Sequence, residues 1–285
     1  MAKIKSLYVN GCSLTAGGGL YDMGVKRWYK QNHGIEWEYE KDVTYPRYIG
    51  DHFKIPWMND ATCGGGAPRV IRRTYEYIRK IGLEKARETL FLLQFNNPIY
   101  RVELYCEDIN DYLVINMHYE NGNTGKIEHF SAVQDFSPMT RKYPNEHFLP
   151  MFPEIKNIML KYHSPIAYED KIRDETLGFF SYLEFEGIPY RYTFVSENVR
   201  NKNEEFYKRI CHKEMVIDGY ESVADFTGRQ KYTIHDETNG DSGDRHPGYF
   251  GYKKYAERII EYLKIQEDLE FLPQSRISAN FKGLI

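Results

Sequence analysis

The sequence lacks most of the features that settle a protein's class at once. Its four cysteines, Cys12, Cys63, Cys106 and Cys211, include no CxxC pair, and no histidine stands at zinc spacing from them. A disulfide framework and a structural zinc site are therefore not expected. No apolar run reaches the roughly 18 residues of a membrane span. The opening MAKIKSLYVNG carries a short apolar stretch without a cleavage-site pattern, so it reads as a first strand rather than a signal peptide. A cytoplasmic protein, or part of a particle assembled there, is the expectation, with no membrane partner. There is no excess of positive charge. The net charge is -3, and basic residues are scattered as in RRTYEYIRK, which argues against a nucleic-acid partner. Repeats and low-complexity linkers are also missing. Oligomeric state is not legible.

What is present is an ordinary globular composition. At 285 residues the chain suits one large domain or two small ones, burying roughly three quarters of its extended surface. Hydrophobic residues make up 41% and charged residues 28%, the balance of a folded chain. Aromatics reach 15%, with 25 tyrosines. Tyrosine joins a flat apolar face to a polar tip, which suits packing at core and rim, or sugar binding.

Residues 4–9 are β-branched and aromatic and stop at Asn10-Gly11, as a buried strand entering a tight turn does. Residues 20–45 show no clean period and read as an excursion. TYPRYIGDHF reads as a short helix with Pro46 in its first turn, and IPWMN as a second strand. A glycine-rich turn over 64–66 feeds a helix in which Val70, Ile71, Thr74 and Ile78 share a face, with Gly82 as its stop. Residues 90–95 are the strongest strand, mostly apolar as a central parallel strand is, and they run into Asn96-Asn97-Pro98.

Residues 102–150 break the rhythm and read as an insertion with a hairpin near Asn121-Gly122. A helix over 166–187, a strand over IPYRYTFV and a last helix follow. In that last helix Tyr252, Tyr255, Ala256, Ile259, Ile260 and Leu263 share a face, with Pro247 at its start. Residues 266–285 read as a polar tail. The alternation predicts an α/β fold, a mostly parallel sheet with helices on both faces. It forms a single domain over 1–265, with insertions at about 20–45 and 102–150. In such sheets the site lies beyond the carboxyl ends of the strands. Residues 11–19, 64–66 and 96–97 are expected there, joined by His246 at the mouth of the last helix.

The loop YVNGCSLTAGGG poses the chemical question. Its glycines do not make GxxxxGK[ST] or GxGxxG, so nucleotide binding is not favoured and no cofactor is expected. As a nucleophile turn it needs a base, an acid to orient the base, and donors for an oxyanion. GDRHPG supplies His246, with Asp244 just before it; Asp241 is an alternative acid. Donors are available from the Ser13 and Gly64 backbone N–H groups and the Asn96 side chain. Cys12 is the rival nucleophile, because thiolates attack more readily than hydroxyls, but it also suits buried packing. Each residue has a plainer role: Ser13 as a helix cap, Asn96 as a turn closer, Gly64 as a hinge. HDETNGDSGD does not have calcium-loop spacing, so no metal is expected. Arg101 is a candidate for binding an anionic substrate group, with a surface salt bridge as the alternative.

NGCSLTAG, NDATCGGGAPRVIRRT, QFNN and DRHPGYFGYKKYAERI stand in the order of the sequence blocks of the SGNH hydrolases, also called GDSL-like esterases, and the chain resembles that family from residue 4 to about 264. The resemblance implies a three-layer α/β/α sandwich with a mostly parallel five-stranded flavodoxin-like sheet, here with a β-hairpin-containing insertion. It names Ser13, His246 and Asp244 as catalytic, and Ser13, Gly64 and Asn96 as the oxyanion hole. It implies a serine esterase that needs no cofactor. O-acetyl groups on a carbohydrate, or a small-molecule ester, are the implied substrates. The chain departs from the family pattern at Cys12, Gln94 and Asn97, and the acid is one residue nearer the histidine than usual. Two other classes fit the same residues: a catalytically inactive glycan- or protein-binding module, and an acyltransferase using the same triad.

Overall fold

The most apolar stretch of the chain becomes the middle of its main sheet. The computed structural model describes residues 1–96, 101–107, 111–119, 127–134, 152–162, 164–194, 208–217, 219 and 223–274. Its strands are β1 (Ala2–Ile4), β2 (Ser6–Asn10), β3 (Trp57–Asn59), β4 (Thr89–Phe95), β5 (Arg101–Cys106), β6 (Asp111–Tyr119), β7 (Ile127–Gln134), β8 (Tyr190–Phe194) and β9 (Leu269–Phe271). β4 is buried along its whole length. It pairs in parallel with β2, Val9 opposite Leu92, and with β8, Leu93 opposite Tyr192. β2 pairs in parallel with β3, giving the order β3-β2-β4-β8.

Successive side chains of a strand face opposite sides, and here both sides are apolar. Leu7, Val9, Leu90 and Leu92 join one core cluster with Ile49, Tyr252, Tyr255 and Ile259. Tyr8, Phe91, Leu93 and Phe95 join the other with Val70, Ile78, Phe179 and Leu183. The first cluster draws on α3 (Tyr45–Phe53) and the final helix, Tyr249–Lys264; the second draws on α4 (Ala67–Ile81) and the long helix Pro165–Phe185. The result is an α/β fold with a parallel sheet between two helical layers.

The structure departs from the sequence reading in several places. Five strands were expected in the main sheet, and the described residues give four. The next position holds a single parallel bridge between Tyr192 and Glu214, with Met215 N–H donating to Tyr192 O at 2.7 Å. The first apolar run splits, and its opening part, β1, pairs in parallel with β9. β9 lies in the stretch read as a polar tail, where Leu269 is buried and Phe271 stacks on Phe53 with centroids 3.8 Å apart. The excursion over 20–45 holds a helix, α2 (Met23–His33), capped by the Asp22 carboxylate and stopped by Gly34 in the left-handed region. In the later insertion β5, β6 and β7 form an antiparallel sheet. The expected turn at Asn121-Gly122 lies outside the described residues, as does the insertion beyond 134. Among the described residues no helix is long and apolar enough to cross a membrane.

Candidate active site

The turn after β2 is held from below. Asn10 Oδ1 accepts the Gly11 N–H at 2.8 Å and an Arg69 N–H at 3.1 Å. Arg69 also donates to Asp60 O at 2.8 Å, and the Asp60 carboxylate accepts from Tyr8 Oη at 2.9 Å and from Arg73 at 3.0 Å. This buried polar network under the turn carried no sequence signal that singled it out. Gly11 has no room for a side chain, since a Cβ there would stand 2.6 Å from Thr15 Oγ1 and 2.9 Å from Gln94 Cβ.

Cys12 points inward. It is 3% exposed, and its thiol donates to Gln94 Oε1 at 3.3 Å, beside the Thr15 hydroxyl on the same acceptor at 2.8 Å. Burial pushes its thiol above the ordinary cysteine range, which disfavours the thiolate that attack would require. Ser13 opens the short helix α1 (Ser13–Ala16) and faces the other way. Its Oγ lies 3.0 Å from His246 Nε2. His246 Nδ1 lies 2.7 Å from Asp244 Oδ1, which also accepts the His246 backbone N–H at 2.8 Å. The hydrogen bond from His246 holds the Asp244 carboxyl below the usual aspartate range. With its proton on Nδ1, facing this carboxylate, the imidazole presents an Nε2 lone pair to the serine hydroxyl.

Asp241, the alternative acid, is engaged elsewhere and accepts from Trp28 Nε1 at 3.0 Å. The loop carrying Asp244 and His246 is strapped to the short helix Ile234–Glu237, through Ile234 N–H to His246 O and His235 N–H to Asp244 O, each at 2.8 Å. Glu237 reaches past it to accept from the N–H groups of Phe250 and Gly251 at the start of the final helix, and from Tyr29 Oη at 2.5 Å.

The glycines of the opening loop now have a physical reason. A Cβ on Gly18 would lie 2.8 Å from His246 Cδ2 and 2.9 Å from Ser13 Cβ. One on Gly19, which has φ +80°, would collide with the Asp244 carboxylate. The loop is thin because the imidazole and the carboxylate pack directly on its backbone.

The two remaining strand-end segments approach the same turn. Gly64 adopts φ +84°, a left-handed conformation that glycine takes without steric cost. Gly65 packs on Gly11 O, and its own carbonyl accepts from the buried Asn96 Nδ2 at 3.0 Å. That bond uses one of the two hydrogens of the Asn96 amide. Asn96 also neighbours the Cys12 thiol. Arg101, on β5, lies with its stem against Gly66. The aromatics of the 20–45 stretch pack on one another and on the final helix: Tyr29 is fully buried, and Trp37 stacks on Tyr249. Among the described residues, no three His, Cys, Asp or Glu side chains gather as a metal site requires.

No family model matches the chain, and no curated protein matches it in sequence. Solved structures match it by shape. A psychrotrophic esterase, EstA from Pseudoalteromonas sp., in a structure inhibited by monoethylphosphonate, is 8% identical with a TM-score of 0.41, over 91% of this chain and 99% of that one. LAE5, an α/β hydrolase from the metagenome of Lake Arreo, is 12% identical with a TM-score of 0.42, over 92% and 95%. The acetyl xylan esterase Est2A from Butyrivibrio proteoclasticus is 11% identical with a TM-score of 0.41, over 93% of this chain and 64% of that one. At such scores the likeness carries no argument.

Proposed function

We propose that the protein is a serine esterase of the SGNH type, acting on an ester such as an O-acetyl group on a carbohydrate. The observation that carries this reading is the continuous relay from Ser13 Oγ to His246 Nε2 at 3.0 Å and from His246 Nδ1 to Asp244 at 2.7 Å. His246 takes the hydroxyl proton as Ser13 attacks the ester carbonyl. The carbonyl oxygen gains the negative charge, and this reading assigns the Ser13 and Gly64 N–H groups and Asn96 Nδ2 as the donors that hold it. Collapse breaks the bond to the alcohol, which leaves with the proton from His246. Water, deprotonated by the same imidazole, then attacks the acyl group and releases the acid and the serine. Asp244 keeps the imidazole in the required tautomer and balances its charge when protonated.

Every catalytic group in this scheme is a residue of the chain. Hydrolysis of a panel of acetyl esters, acetylated sugars and aryl acetates among them, tests the proposal. Ser13→Ala is expected to lower kcat by at least about 10⁴-fold while leaving the circular dichroism spectrum unchanged. Full activity in a clean preparation of that variant would sink the assignment. Glycan binding without turnover in the wild type would favour the binding-module reading instead.

A further inference from the structure

The arginines around this edge of the sheet are paired. Arg69 and Arg73 meet the Asp60 carboxylate at 3.8 and 3.0 Å, and Arg72 meets Glu103 at 2.9 Å. At the far end of the sheet Arg191 meets Asp268. Arg101 is different. Among the described residues its guanidinium has no carboxylate or carbonyl partner. It is nonetheless half-buried, and burial pushes it below the ordinary arginine range, although a guanidinium remains a cation at neutral pH.

Its position is specific. A Cβ on Gly66 would collide with Arg101 Cβ and stand 3.3 Å from its Cγ, so the glycine there admits the arginine stem. Gly66 precedes α4, whose N-terminus has no side-chain cap. The adjoining Gly65 carbonyl holds Asn96 Nδ2. Cys12 and Cys63, the neighbours of Ser13 and Gly64, lie near Arg101. Among the described residues, a cation without a carboxylate or carbonyl partner thus stands beside the donors assigned to the oxyanion.

Removing a cation from water without a counterion costs free energy. A planar guanidinium is matched in shape by a carboxylate, which it binds through two parallel hydrogen bonds. We infer that Arg101 is a specificity residue that binds a carboxylate of the substrate, so that the ester cleaved is an anionic one. The inference rests on the esterase reading above. The carboxylate has two possible sources: the alcohol part, as in an acylated sugar acid, or the acyl part, as in a dicarboxylic half-ester.

The test begins with binding, which needs no turnover. 4-Acetamidobenzoate and 4-acetamidobenzamide differ only in the charge on the side of the alcohol. Succinanilate and N-phenylsuccinamide differ only in the charge on the side of the acyl group. In NMR titrations of the wild-type protein, the acid of at least one pair is expected to bind about tenfold tighter than its amide. Arg101→Gln is expected to remove that preference and Arg101→Lys to keep part of it. Equal affinities within both pairs, or a preference that survives in the Gln variant, would overturn the inference.

The cleavable counterparts separate this failure from that of the esterase reading. The kcat/KM ratio of 4-acetoxybenzoate to 4-acetoxybenzamide, and of phenyl hemisuccinate to phenyl succinamate, is expected to follow the binding preference. Turnover without charge preference would remove Arg101 and leave the esterase standing. Arginine-dependent binding without turnover would do the reverse.

Discussion

Asp241 and Asp244 are the two candidate acids before His246, and the fold brings only Asp244 to it. Asp244 accepts from both the ring and the backbone of His246, whereas Asp241 is turned away to Trp28. The short spacing of Asp244 and His246 was legible, because the loop closes on itself. Trp28 as a competitor for Asp241 was not, because it comes from a helix with no readable period. The glycines at 18 and 19 were visible as a cluster, but their purpose depends on side chains that arrive from the far end of the chain. Asp244 also makes a pH-dependent contribution. An acid held below its usual range stabilises the folded state at any pH above its unfolded value, and this is lost as pH falls through the folded value. The stability difference between wild type and Asp244→Asn, from urea titrations at stepped pH, is therefore expected to be constant above about pH 4 and to close below it. A difference that widened in acid would contradict the pairing. In the esterase reading the same variant loses about 10³–10⁴-fold in kcat.

At the scale of elements, sequence periodicity was enough where a helix packs one stripe on the sheet. The final helix buries every residue its spacing indicates, and α4 buries Val70, Thr74 and Ile78 while Ile71 is only partly covered. It was not enough for α2, which buries only Val25 and Tyr29 and owes its place to the Asp22 cap and aromatic contacts. β5 was also missed. Its charged residues obscure the strand pattern, yet Glu103 is engaged in an ion pair with Arg72. Glu237 ties α2 to the final helix by accepting from Tyr29, Phe250 and Gly251. Burial raises its carboxyl above the usual glutamate range, against the opposing pull of those three donors. Glu237→Ala would orphan them, and a loss of about 2–4 kcal/mol is expected in guanidinium unfolding. A loss below about 0.5 kcal/mol, typical of an ordinary surface position, would contradict this role.

At the scale of the molecule, the order of the parallel strands brings the turns after β2 and β4 to one edge, and this follows from short connections and the handedness of βαβ units. What the sequence could not show is which distant segments meet. The pairing of β1 with β9 joins the two ends of the described chain, and both strands are too short to announce themselves. The β9 strand is held by Leu269 in the core and by Phe271 on Phe53. Leu269→Ala is expected to cost about 2–3 kcal/mol, read by chemical denaturation, and to leave the Ser13–His246 geometry intact because the site lies at the other end of the sheet. A much smaller cost would mean that the clamp adds little to the fold.

The central claim is that Ser13 is an activated nucleophile, and one measurement reaches it without knowledge of the substrate. The protein is treated with a fluorophosphonate and the modified peptide is mapped by mass spectrometry, with His246→Ala as the control. A single adduct on Ser13, lost in the control, is expected. An adduct elsewhere, or none on the folded wild-type protein, would contradict it.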